Sequence, residues 1–140
     1  MNPNLFVYGT LLSVAGHPMG ERLRGEARLV GAASIAGRLY RVGWYPGLVE
    51  ANASAGAGGA LVHGEVYALD DPVRSLVWLD AYESIVPGHG ANSEYARVER
   101  AVRLASGQDV TAWVYLFQRD VAGLDLVADG RWVVARTGRE

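Results

Sequence analysis

The stretch that most constrains the fold is LFVYGTLL, Leu5–Leu12. Its first four residues are aliphatic or aromatic with no polar break, which predicts a β-strand. The strand pattern stops at Gly9-Thr10, because glycine can adopt the backbone angles of a sharp turn. Such a turn leaves the N–H groups of residues 9–11 without partners in a sheet. Consecutive free N–H groups form a concavity that binds an anion or a carbonyl oxygen. The plainer alternative is an edge strand that ends in an ordinary turn.

The rest of the chain alternates short apolar segments with turns and contains one clear helix. Asp71 and Pro72 suit the N-cap and first position of that helix, which is expected to end near Tyr82 or Glu83. Further strands are predicted at 27–42 (bent at its glycines), 48–49, 61–69, 95–104 and 110–118, with a hairpin turn at 106–109. Loops are predicted at 13–24 (with at most a short helical turn), 51–60 and 85–92, and a helical turn with a last packing segment at 124–132.

These elements indicate one α+β domain over residues 1–140, with a mostly antiparallel sheet curled toward a barrel. A chain of 140 residues is long enough to bury a single core without disulfides or metals. The segment at 110–118 is apolar on both faces, so we expect it to be covered on both sides.

The composition limits the chemistry that the chain can perform. It has no cysteine, and all 13 basic residues are arginine. Thiolate nucleophiles, disulfides, Schiff-base lysines and P-loop lysines are therefore excluded. The net charge of −2 does not indicate a basic surface that would bind nucleic acid or an anionic membrane. His17, His63 and His89 fall in separate segments without ligand spacing, so no metal and no cofactor are expected. The N-terminus lacks a signal-peptide pattern, and a cytoplasmic protein is expected.

Two carboxylates fall on the predicted apolar face of the helix. At 100° per residue, Asp80 and Glu83 lie on the same side as a stripe made of Val73, Leu76, Val77 and Leu79. An unpaired buried charge is costly, so both need an explanation. In one account, Asp80 accepts from backbone N–H groups and Glu83 emerges into water at the frayed helix end. In the other, partial burial and the negative helix end raise the pKa of Glu83 toward that of a general base.

Five further motifs follow YGTL: YPGLV at 45–49, GEVYALDD at 64–71, LDAYE at 79–83, YARV at 95–98 and AWVYLF at 112–117. In this order and spacing the set resembles the γ-glutamylcyclotransferase-like family, in the branch with AIG2-like and γ-glutamylamine cyclotransferase proteins. The resemblance runs from Leu5 to about Trp132. YGTL followed by LDxYE is a fairly specific pair. The resemblance implies a small mixed β-barrel with packed helices.

The resemblance also implies an activity and the residues that carry it. It places the catalytic glutamate at Glu83 and the substrate-binding loop at Tyr8, Gly9, Thr10 and Leu11. A γ-glutamyl amide carries its own nucleophile, the α-amine, which can close a five-membered ring on the γ-carbonyl. Glu83 would take the ammonium proton and return it to the leaving amine, which releases 5-oxoproline. The N–H groups of the turn would hold either the oxyanion or the substrate carboxylate.

Tyr115 is a further candidate for substrate binding, the alternative being a core aromatic residue whose hydroxyl is satisfied. Tyr45, Tyr95 and Arg97 are weaker candidates for the site, and a structural role is expected for them. Two other functions stay open: a non-catalytic small-molecule-binding module of the same fold, and a metal-dependent hydrolase, for which a ligand cluster is lacking. Retention of Glu83 together with the YGTL turn favours the enzyme. The expected partner is a small γ-glutamyl substrate, with the leaving amine and the oligomeric state left open.

Overall fold

The computed structural model describes residues 1–12, 17–43, 45–50, 60–83 and 94–132. Within these ranges the chain forms seven strands and two helices. They are β1 (Asn4–Val7), α1 (Pro18–Glu26), β2 (Ala27–Arg41), β3 (Pro46–Glu50), β4 (Leu61–Leu69), α2 (Pro72–Tyr82), β5 (Tyr95–Leu104), β6 (Asp109–Phe117) and β7 (Asp125–Val127).

Five of the strands close into a barrel in the order β2, β4, β1, β6, β5, with β5 pairing back onto β2. The pairing of β1 with β6 is parallel, and the other four barrel pairings are antiparallel. Strand β2 is 15 residues long, and its last residues leave the barrel to pair with β3 and β7. The predicted α+β class and the mixed, mostly antiparallel barrel are therefore confirmed.

Strand β1 lies inside the sheet between β4 and β6. Its residues Leu5, Phe6 and Val7 are buried, as the unbroken apolar run predicts. The neighbouring β4 approaches it closely at Gly64, where a Cβ atom would overlap the Val7 carbonyl oxygen. Because β1 ends at Val7, the Tyr8–Leu11 segment emerges at one end of the barrel.

The expectation of a loop over residues 13–24 is wrong for its second half, where α1 occupies Pro18–Glu26. The helix is capped by His17, whose Nδ1 accepts from a backbone N–H two residues later at 3.1 Å. Histidine is not a preferred N-cap, so the sequence carries a weak start signal. Helix α1 packs on the turn after β1, where a Cβ at Gly20 would lie 3.2 Å from the Leu11 carbonyl oxygen.

Helix α2 has the predicted bounds. The Asp71 carboxylate accepts from the Arg74 backbone N–H at 3.2 Å, and Pro72 occupies the first helical position. The helix ends at Tyr82, with Glu83 as its C-cap residue.

The predicted buried face of α2 is only half correct. Val73 and Val77 are 63% and 70% exposed. The residues that are buried are Ser75, Leu76, Trp78 and Leu79. Relative to the predicted orientation, the helix is rotated about its axis so that Ser75 and Trp78 face inward. Glu26 of α1 accepts there from the Ser75 hydroxyl at 2.6 Å and from Trp78 Nε1 at 2.9 Å.

The C-terminal segment also differs from its prediction. Residues 125–127 form β7 instead of a helical turn, because the end of β2 beyond the barrel offers an open edge for pairing. Trp132 is buried, in agreement with a last packing segment. The predicted loops at 51–60 and 85–92 lie outside the described residues, except Ala60, which is exposed. In the described ranges, no helix is long and apolar enough to cross a membrane.

Candidate active site

A cavity of about 140 Å³ opens where β1 stops and α2 ends. Its walls come from β1 and the turn after it, the start of β3, the end of α2, and strands β5 and β6. All six residues predicted for the site line this cavity: Tyr8, Gly9, Thr10, Leu11, Glu83 and Tyr115. The structure thus brings the YGTL turn and the end of the LDAYE motif together.

The turn after β1 is closed by one backbone hydrogen bond, from the Leu12 N–H to the Gly9 carbonyl oxygen at 3.0 Å. Among the described residues, no acceptor takes the N–H groups of residues 9–11. These donors are what an anion or a polarised carbonyl oxygen requires. Gly9 is needed for space rather than for unusual backbone angles. A Cβ atom there would lie 2.7 and 2.8 Å from Cγ and Cδ of Pro46.

The Tyr8 side chain is structural, although its residue lines the cavity. Its hydroxyl donates to the Tyr115 carbonyl oxygen at 2.7 Å and accepts from the Leu48 N–H at 3.2 Å. These contacts tie the end of β1 to β6 and β3. Burial raises the pKa of Tyr8 well above its ordinary value, so the phenol stays neutral.

Glu83 projects from the end of α2 and is partly buried in the cavity wall. Its own N–H continues the helix by donating to the Leu79 carbonyl oxygen at 2.9 Å. Burial raises the pKa of the Glu83 carboxyl from 4.5 to about 8, and the charges of Glu94 and Asp80 act in the same direction. At this position the carboxyl can exchange a proton near neutral pH.

The account in which Asp80 accepts from backbone N–H groups is not the one that the structure shows. Its two oxygens accept from the Arg97 guanidinium at 2.7 and 3.1 Å, and Oδ1 also accepts from the Tyr115 hydroxyl at 2.7 Å. Tyr115 therefore has a satisfied hydroxyl, as one of its two alternatives predicts, and it also lines the cavity. Its role in substrate binding stays a prediction. Arg97 donates to Asp80 and does not line the cavity, which agrees with a structural role.

Seven more residues line the cavity beyond those predicted as its site. Four of them carry a hydroxyl or carboxyl group: Tyr45, Tyr82, Glu94 and Tyr95. The Tyr45 hydroxyl donates to Glu94 Oε2 at 2.7 Å, and this bond is the main cause that raises the pKa of Tyr45 to about 12. The Tyr82 and Thr10 hydroxyls lie 2.6 Å apart, which joins α2 to the turn. Tyr82 and Glu94 directly precede Glu83 and the YARV motif, and this adjacency is the signal that could have found them.

The lining of the cavity is rich in hydrogen-bond acceptors. The hydroxyl hydrogens of Tyr45, Tyr95 and Tyr115 are all directed to protein oxygens. Any further hydrogen bond of these hydroxyls must be one that they accept. Glu83 and Glu94 add two carboxyl groups, and none of the described lining residues is basic. Such a lining suits a ligand that carries an ammonium group.

The described residues contain no group of three or more His, Asp or Glu side chains arranged to hold a metal ion. His17 caps α1 and lies edge-on to the Tyr82 ring at 5.5 Å, while His63 belongs to β4. His89 lies outside the described residues.

Comparison with known proteins assigns the family. A family model described as "Gamma-glutamyl cyclotransferase, AIG2-like" matches residues 5–134. The chain therefore belongs to this family, as the order of its motifs predicts. Among its relatives, the γ-glutamylcyclotransferase family protein YtfP of Escherichia coli K12 is 35% identical over 130 residues, which are 92% of this chain and 95% of that protein.

A second relative carries a more specific name. It is the γ-L-glutamyl-butirosin B γ-glutamyl cyclotransferase of Niallia circulans, 33% identical over 119 residues, which are 84% of this chain and 69% of that protein. Solved structures agree with the barrel. The solution NMR structure of YtfP from E. coli aligns with a TM-score of 0.61 over 93% of this chain and 96% of that one. An AIG2-like protein from Mus musculus, at 23% identity, has the same fold, with a TM-score of 0.69 over 98% and 92% of the chains.

Proposed function

We propose that the chain releases 5-oxoproline and a free amine from a small γ-glutamyl amine or amide. The observation that carries this proposal is the sharing of one cavity by Glu83, whose carboxyl has a raised pKa, and a turn whose N–H groups have no acceptor among the described residues. Acid–base catalysis and oxyanion stabilisation are the two things that this reaction requires of a protein.

In the proposed reaction, the Glu83 carboxylate first takes a proton from the substrate α-ammonium. The resulting amine attacks the γ-carbonyl carbon, and a new C–N bond closes the five-membered ring. The negative charge that develops on the carbonyl oxygen is stabilised by N–H groups of the Gly9–Leu11 turn. Glu83 then returns its proton to the leaving nitrogen, the original C–N bond breaks, and the carbonyl re-forms. The ring nitrogen, which still carries two hydrogens, gives one of them to the ionised Glu83 carboxylate, from which it passes to the released amine. No water is consumed.

Two further observations support this reaction. The acceptor-rich lining around Glu83 and Glu94 suits the ammonium that the substrate brings. The chain also lacks cysteine and lysine, which agrees with a reaction in which the substrate supplies the nucleophile. The name of the Niallia circulans relative specifies a γ-L-glutamyl compound, γ-L-glutamyl-butirosin B, and we extend the class of γ-glutamyl substrates to this chain.

The proposal is tested by incubating the protein with a panel of γ-glutamyl amides and measuring 5-oxoproline by mass spectrometry. The panel should include γ-glutamyl amino acids, monoamines and polyamines, each with the α-N-acetyl derivative as a control that cannot cyclise. We expect turnover of at least one free amine, none of its acetyl derivative, and full activity in excess EDTA. Activity that is lost in EDTA and restored by a divalent metal would overturn the mechanism. Binding without turnover would favour the binding module.

The value of kcat/KM should rise with pH with a midpoint at about pH 8, because it follows the pKa of the free enzyme and only ionised Glu83 accepts the proton. Stability should change in the opposite direction. The pKa of Glu83 in the folded protein lies above its ordinary 4.5, so folding favours the protonated form. This contribution is fully present below about pH 4.5 and is lost as the pH rises through about 8. Rate profiles and urea melts across this range test both trends, and a profile without a rise would argue against Glu83 as the base.

A further inference from the structure

Asp80 ties the last turn of α2 to the barrel wall through three hydrogen bonds. Two come from the Arg97 guanidinium and one from the Tyr115 hydroxyl. Arg97 and Tyr115 are direct partners across β5 and β6, so a single carboxylate joins two strands to the helix. The guanidinium also lies over the Trp113 ring, 4.5 Å from its centroid, which restricts it further.

Stability alone is a weak reason for this ion pair. The Arg97 and Asp80 side chains are 22% and 25% exposed. Ion pairs that are largely shielded from water often stabilise a fold no more than apolar residues of the same size would. A two-pronged contact between guanidinium and carboxylate does fix the relative orientation of its partners. The contact is therefore suited to set the position of whatever the end of α2 carries.

Glu83 follows Asp80 by three residues, nearly one helical turn. Its N–H bonds to the carbonyl oxygen of Leu79, the residue just before Asp80. A displacement of Asp80 therefore moves Glu83 as well. Tyr82, the residue just before Glu83, also contacts the turn after β1, because its hydroxyl lies within hydrogen-bond distance of the Thr10 hydroxyl. The helix end is thus held at two points, and Glu83 lies directly beyond them.

We propose that Asp80 is a positioning residue, which through Arg97 and Tyr115 holds Glu83 in place against the substrate. Asp80 itself does not line the cavity, so it acts through Glu83 and not by touching the substrate. The proposal rests on the proposed function, since it presupposes that Glu83 is the base.

Asp80 also contributes charge at Glu83. The groups that interact electrostatically with Glu83 are Asp80, Glu94, Tyr8, Tyr45, Tyr82, Tyr95 and Tyr115. The Asp80 carboxylate raises the pKa of Glu83. Asp80→Asn removes that charge and should therefore lower the pKa, so that Glu83 stays ionised at lower pH.

Three variants test the proposal. Asp80→Asn removes the charge and part of the geometry, whereas Arg97→Lys keeps the positive charge and loses the two-pronged contact. The control is Asp109→Asn, because Asp109 pairs with Arg103 across the same two strands at 2.9 Å but is exposed and does not line the cavity. We expect at least about a tenfold loss of kcat in the first two, with a smaller change in KM, and no loss in the control.

A second readout does not depend on activity. The carboxyl carbon of Glu83 can be titrated by ¹³C NMR and assigned by its absence in Glu83→Gln. We expect a midpoint at lower pH in Asp80→Asn and an unchanged midpoint in Asp109→Asn. A wild-type kcat together with a wild-type titration in Asp80→Asn would overturn the proposal.

Failure of the proposed function would look different from failure of this inference. A wild-type protein that releases no 5-oxoproline from any substrate would refute the function, and with it the base that Asp80 is proposed to position. An active wild type with an unchanged kcat and titration in Asp80→Asn would refute the positioning role alone. Should Asp80→Asn not fold, Arg97→Lys decides instead. A melt and a kcat equal to those of the wild type in Arg97→Lys would refute positioning through the ion pair.

Discussion

Glu83→Gln should lower kcat by at least about 100-fold, the low end of what general acid–base catalysis contributes. Glutamine keeps the size of the side chain and its hydrogen-bonding capacity but cannot accept the ammonium proton. Substrate binding should persist, and titration calorimetry on the inactive variant can measure it directly. The fold should stay intact, and above about pH 8 the variant should melt at a higher temperature than the wild type, because a partly buried charge is absent.

The matched control for this change is Glu99→Gln. Glu99 is exposed on β5 and does not line the cavity, and its carboxylate contacts the Asn2 side chain at 3.2 Å. The same chemical change there should leave kcat unaltered. A Glu83→Gln protein that melts normally and turns over at nearly the wild-type rate would exclude Glu83 as the base and return the binding module to consideration.

Gly9→Val should remove most of the activity, because there is no space for a side chain at this position. A Cβ atom would overlap the ring carbons of Pro46 at 2.7 and 2.8 Å, so the turn or β3 has to shift. A displacement of about 1 Å at a binding site can lower the rate by about 100-fold. We expect the effect to appear in substrate binding, measured as KM and as affinity for 5-oxoproline, while a thermal melt reports the fold separately.

Two comparisons make the Gly9 experiment specific. Gly58→Val, in the segment at 51–60 that the sequence predicts to be a loop, should have a much smaller effect. Pro46→Ala removes the ring carbons that the new side chain would meet, so Pro46→Ala should partly rescue Gly9→Ala in a double-mutant cycle. Equal activity of Gly9→Val and wild type would show that the turn does not bind the substrate.

Local signals in the sequence were sufficient for much of the fold. The unbroken apolar run from Leu5 predicts β1, and Asp71-Pro72 marks the start of α2 at the correct residue. Where the signal was atypical, the prediction failed. Helix α1 begins at a histidine cap, and the face that α2 buries is decided by Glu26, a residue of another helix.

The site shows the same division between local and distant information. Motif order was enough to place Glu83 and the Tyr8–Leu11 segment in one cavity. The partners of Asp80 could not be found in this way, because they lie 17 and 35 residues away and the register of β5 and β6 decides which side chains face the helix. Periodicity along a single helix suggests that a carboxylate is buried but does not identify the group that neutralises it.

The parallel pairing of β1 with β6 has a consequence for the order of folding. Strand β1 is synthesised before its partners β4 and β6, and the Tyr8 hydroxyl donates to a carbonyl oxygen that is 107 residues away in sequence. Contacts of such high sequence separation form late, because loop-closure entropy opposes them until the intervening chain is organised. On the ribosome, β1 must therefore wait for most of the nascent chain to emerge. The turn that would bind the substrate is synthesised early, but it adopts its folded conformation only when the barrel closes.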